Sequence, residues 1–170
     1  MYTVRKAKRK AARVGSDRKR LDSQQDALYE WETKWRDWNI NSLTLSECRA
    51  AIRTACARYK VRPPAVKQHN LRSLSWSIPY PAPGWISLQA VGPRGRGGKN
   101  LATALHEAAH HIVYALFGNR PSDHGPTFLG VYLWLLVEAE LAPASALYPS
   151  ARAAGLKWRH MPPTLALTMR

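Results

Sequence analysis

The sequence predicts an α+β fold, a small three-stranded sheet packed with one central helix and flanking helices. Three observations predict it. Residues 21–39 place their apolar side chains at three- and four-residue steps, the period of an amphipathic helix, and a second capped segment follows at about 44–61. Residues 65–91 break into short segments rich in Val, Ile, Ser and Trp, punctuated by Pro and Gly, which read as strands. Residues 100–141 return to long apolar helical patterns, divided by one turn-rich loop.

The first helix lies within "LDSQQDALYEWETKWRDWN", where Leu28, Trp31, Trp35 and Trp38 form an aromatic stripe expected to pack in the core rather than stack on bases. Thr44 or Ser46 caps the second, "SECRAAIRTACARYKV", and Pro63-Pro64 ends it. "AVKQHN", "SLSWSI" and "GWISLQAV" are the three strands, with "PYPAPG" as a turn. In the last strand Ile86, Leu88 and Ala90 face one side and Ser87 and Gln89 the other; Gln89 and its strand are expected to offer an edge along which an extended peptide pairs.

"GPRGRGGKN" is a basic loop. It lacks the Gly and the Ser/Thr that a phosphate-binding loop needs at Pro93 and Asn100. Asn100 then caps a helix running to Phe117, stopped by Gly118. Residues 119–126 form a loop, and Thr127 to about Leu141 an apolar helix. The expected organisation is a basic, disordered tail (1–20), one domain with an N-terminal Trp-rich helix (21–142), and a Pro-containing C-terminal extension with a short helix in "PSARAAGLKW" (143–170).

The net charge of +15 is unevenly spread: residues 1–20 hold nine Lys/Arg against Asp17 alone. Such a tail favours a polyanionic partner, nucleic acid first. No apolar stretch follows it as in a signal peptide, and the longest apolar run, Phe128 to Val137, is too short to span a bilayer. Cys48 and Cys56 fall on one helix, about 12 Å apart at 1.5 Å per residue, too far for a disulfide. A cytoplasmic protein with no membrane partner is expected.

The chemistry concentrates in "ALHEAAHHIVYALFGNRPSDHGPTF". His106-Glu107-Ala108-Ala109-His110 matches H-E-x-x-H inside the helix behind the last strand. Four residues turn a helix by about 400°, so His106 and His110 project from one face and each can give a ring nitrogen to one Zn²⁺. Glu107, about 100° around, is placed to hold a water and take its proton. A catalytic zinc needs a third protein ligand and an open position. Val113 and Leu116 exclude the extended metzincin pattern. His124 in the loop and Glu138 on the following helix are the candidates, with Asp123 an outside one. His111 points about 100° away from His110. His69 and His160 read as ordinary surface or core histidines, and Tyr114 and Tyr132 as candidates for stabilising an oxyanion.

"LHEAAHHIV" followed by "HGPTF" resembles the SprT-like (spartan-like) zinc metallopeptidases, whose H-E-x-x-H is followed by a third His-Gly and an aromatic residue. The resemblance covers about residues 44–142; no CxxC pair is present for the zinc ribbon. It implies a zincin-like minimal metallopeptidase fold, His106, His110 and His124 as zinc ligands, Glu107 as general base, and a protein or peptide substrate, with DNA-associated proteins suggested by the basic tail. With Glu138 as third ligand the chain would instead resemble ImmA-type regulatory peptidases. A rival of another class is a basic nucleic-acid-binding protein whose zinc site is structural or vestigial.

Overall fold

The computed structural model describes residues 24–35, 42–69, 76–78, 84–89, 99–118, 121 and 123–168. The basic tail, Trp38, Ala90, all but Gly84 of the expected "PYPAPG" turn and most of the "GPRGRGGKN" loop lie outside the described residues. The elements run α1 (Gln25–Lys34), α2 (Leu45–Arg58), β1 (Ala65–His69), β2 (Trp76–Ile78), β3 (Trp85–Gln89), α3 (Leu101–Phe117), α4 (Pro126–Glu138), α5 (Ala144–Ala153) and α6 (Pro163–Thr168). The fold is α+β, as expected.

Helix boundaries follow from local chemistry. Thr44 heads α2 through a capping box: its hydroxyl accepts from Glu47 N, and the Glu47 carboxylate accepts from Thr44 N at 2.7 Å. Asn100 caps α3 by accepting from Thr103 N at 2.7 Å, and Gly118 ends it at φ 65°, a conformation that favours glycine. Pro126 opens α4, where its missing N–H costs nothing. Helix α1 is shorter than its apolar period suggests, ending at Lys34.

The sheet has the order β1-β3-β2, with β1 and β3 parallel and β2 and β3 antiparallel. This corrects the expectation that the strand of Gln89 is an edge: among the described residues β3 is central, paired with β1 over Trp85–Gln89 and with β2 over Trp85–Ser87. Both faces of β3 are covered too. Ser87 and Gln89 are buried, like Ile86 and Leu88, and Ser87 Oγ hydrogen-bonds His69 Nδ1 at 2.8 Å.

Helix α3 lies at the middle of the molecule, packed against α2, α4 and the sheet. Eleven of its residues are buried, and Ala102, Ala104, Ala108 and Ala109 let those neighbours approach closely. Leu28 and Trp31 of α1 are wholly buried, Trp35 packs edge-on to Trp31 at 6.3 Å, and the Trp31 indole N–H donates to Ser150 Oγ at 3.0 Å. The described part of the aromatic stripe is therefore core.

Residues 143–168 share that core rather than trailing from it. Leu147, Ala151, Leu156, Met161 and Ala166 are buried, and Tyr59 Oη donates to the Met161 carbonyl at 2.6 Å. The chain crosses α4 at Gly130, where a Cβ would run into the Arg159 carbonyl. Cys48 and Cys56 are free and buried. Among the described residues, no helix is long and apolar enough to cross a membrane.

Candidate metal centre

His106 and His110 stand one turn apart on α3, and their Nε2 atoms approach to 3.2 Å. Gly118 stops the helix, and His124 lies just ahead of the α4 N-terminus with its Nε2 at 3.4 Å from that of His106. The three side chains each offer a ligand atom within 4.8 Å of the others, a group that could hold a metal ion. His106 and His124 are buried and His110 is half-buried. Close-set ring nitrogens crowd lone pairs together in a poorly solvated place, and a cation relieves that.

Aromatic rings hold the imidazoles in place. Phe128, one turn into α4, stacks on His110 at 4.2 Å and meets His106 and His124 edge-on at 5.1 and 5.2 Å. Tyr132, a turn further, meets His106 at 5.2 Å. From another direction Tyr29 of α1 stacks on His106 at 6.0 Å and lies edge-on to His124 at 5.5 Å. The adjacent Glu32 carboxylate receives a hydrogen bond from His106 Nδ1 at 2.9 Å.

Electrostatics follow from burial. His110 is held well below the usual imidazole range by burial, with His106 and His124 adding to the effect, so it stays neutral at pH 7. Glu107 is pushed up to about 7 by burial, with His106 opposing the shift and Glu32 reinforcing it. Tyr132 is held well above its ordinary value by burial and the nearby Glu32 charge; its hydroxyl makes no hydrogen bond of good geometry among the described residues.

Other candidates fall elsewhere. Glu138 sits exposed at the C-terminal end of α4, opposite Arg58 at 3.6 Å. Ten helical residues, about 15 Å, separate it from Phe128 at the cluster, so this geometry does not make it a third ligand. Asp123 is exposed beside His124 and outside the group. His111 turns away as expected: its Nε2 donates to the Arg62 carbonyl at 2.9 Å, tying α3 to the chain before β1, and burial lowers its pKa. His160 is exposed, and Tyr114 is only half-buried.

Sequence reasoning missed Tyr29 and Glu32. A signal existed: Gln25, Tyr29 and Glu32 fall at i, i+4 and i+7, a polar stripe flanking the apolar one on α1. Nothing local said which element that stripe would face. In comparisons with protein-family models, curated proteins and solved structures, the chain matches none.

Proposed function

We propose that the chain is a zinc-dependent metallopeptidase of zincin-like type, with His106, His110 and His124 holding the ion and Glu107 as general base. The observation that carries this reading is the Nε2 spacing. Zinc–nitrogen bonds of about 2.05 Å at the tetrahedral angle set ligand nitrogens about 3.3 Å apart; the separations from His106 Nε2 are 3.2 and 3.4 Å. Three neutral nitrogen donors also suit zinc better than calcium or magnesium, which take oxygen. When bound, zinc supplies a Lewis acid that polarises a carbonyl and acidifies water. Glu107, next in sequence to a ligand and poorly solvated, takes the proton from the attacking water and passes it to the departing amine. The substrate class is a protein or peptide. The basic residues 1–20 favour work near nucleic acid.

A second reading is a structural zinc site. It is favoured by the low exposure of His106 at 7%, His124 at 5% and Glu107 at 5%. Structural zinc is normally held by four protein ligands, and the group among the described residues has three, which favours the catalytic reading.

Elemental analysis of the purified protein beside His124→Ala, Glu138→Ala and Glu107→Gln tests both, followed by a peptidase assay. The proposal expects about one zinc per chain, lost with His124→Ala and kept in the other two, and hydrolysis abolished by Glu107→Gln. Zinc that stays bound while the wild type hydrolyses nothing, with or without DNA, would favour the structural site. A wild type that takes no zinc after remetallation sinks both.

A further inference from the structure

We infer that Glu32 is a positioning residue of the metal centre, so that the N-terminal helix α1 completes a site whose ligands all lie between residues 106 and 124. The inference rests on the zinc reading above and goes beyond it by assigning a role to a helix outside the ligand-bearing segment.

An imidazole has two ring nitrogens, and a neutral one carries its proton on only one of them. At His106, Nδ1 is 2.9 Å from the Glu32 carboxylate, which can only accept, so the proton sits on Nδ1 and the lone pair on Nε2. That Nε2 is the atom facing both other histidines. Glu32 thereby selects the tautomer that can bind metal, fixes the ring's rotation, and makes Nε2 a stronger donor.

The carboxylate is itself held firmly. The Glu32 side chain is 23% exposed and that of His106 9%, so water competes poorly for the bond. Helix α1 is anchored by the buried Leu28 and Trp31 and by the Trp31 bond to Ser150. Tyr29, one turn before Glu32, lies against His106 and His124, and its hydroxyl accepts from Gln25 Nε2 at 3.4 Å. A side chain that merely met a histidine by chance would not bring a helix-length support with it.

The test is the zinc dissociation constant of the full-length protein by chelator competition, beside Glu32→Ala, Glu32→Gln and the control Glu30→Ala. Thermal unfolding of each metal-free protein is measured in parallel. Glu30 is exposed on the same helix and pairs with Lys34 at the surface. Glu32→Ala is expected to weaken zinc binding about 10–100-fold. Glu32→Gln, which keeps an accepting oxygen without the charge, should lose less, and Glu30→Ala nothing. Binding by Glu32→Ala within about twofold of the wild type overturns the inference and leaves the zinc reading standing, even if its metal-free melting point falls. Equal weakening by Glu30→Ala also overturns it. A wild type that binds no zinc overturns the zinc reading, and the inference with it.

Discussion

The side-chain amide of Gln24 donates to the backbone carbonyl of His124 at 3.2 Å, tying the start of α1 to the loop that carries the third imidazole. The same amide pairs with Lys157 in both directions, donating to its carbonyl at 3.2 Å and accepting from its N–H at 2.6 Å. One glutamine thus joins the N-terminal helix, the His124 loop and the C-terminal segment.

Gln24→Ala removes three hydrogen bonds to backbone at a partly exposed site. A stability loss of about 1–2 kcal/mol is expected. Denaturant unfolding measures it, and amide exchange should show Lys157 N–H losing its protection. Unchanged protection there would mean that the contact is not populated in solution.

Gly130→Ala is expected to be among the most damaging small substitutions in the molecule. The added methyl meets the Arg159 carbonyl group, with its carbon at 2.9 Å and Met161 Cγ at the same distance. Neither neighbour can step aside cheaply, because Arg159 N donates to Pro126 O at 2.8 Å and Met161 is buried. Overpacking of this kind costs about 3 kcal/mol, a fall in melting temperature of roughly 6–12 °C. A melting curve within a degree or two of the wild type would show that the C-terminal segment does not cross α4 there.

Glu107 gives the metal-free protein a pH signature. Its carboxyl is pushed up to about 7 when folded and titrates near 4.5 when unfolded. Between those values the unfolded chain gives up the proton first, so folding stability falls as pH rises from about 4.5 to 7 and is level above. Glu107→Gln removes this dependence. With chelator present, the variant should gain on the wild type by roughly 3 kcal/mol between pH 4.5 and 8. His110 acts in the opposite sense as pH falls, but it is present in both proteins and cancels in the comparison. A gap that stays constant with pH would show Glu107 to be solvated.

Both cysteines should be silent toward alkylating reagents until the protein unfolds. Cys48 and Cys56 have no exposed surface, and burial pushes the Cys56 thiol up to about 12. The neutral thiol is the stable form in the fold, so its contribution to stability is complete below about pH 9 and is lost as pH rises toward 12. Mass spectrometry after iodoacetamide at pH 8 should find no adduct on the native protein and two on the denatured one.

The site helix was legible in the sequence almost to the residue, because Asn100 and Gly118 do local jobs that local sequence can reveal. The same holds for the three strands and for His124, which a glycine stop and a short loop return to the helix. What was not legible is which element neighbours which. The period of β3 is visible, but its place between β1 and β2 follows from a parallel pairing across intervening chain, and that placement puts the strand of Gln89 at the centre of the sheet. Glu32 was hidden for the same reason: its partner lies 74 residues away, and an acid on a helix normally reads as solvated surface.

The Gln24–Lys157 pair also has a bearing on synthesis. The two residues are 133 positions apart, so helix α1 leaves the ribosome long before the segment that Gln24 clasps. At about 5–20 residues per second, the interval is roughly 7–27 s. For most of it Trp31 has no Ser150 to bind, and throughout it the His124 loop lacks its tie to the C-terminal segment. A nascent chain therefore carries a half-built centre, and the fold closes around it only once the last third of the polypeptide has emerged.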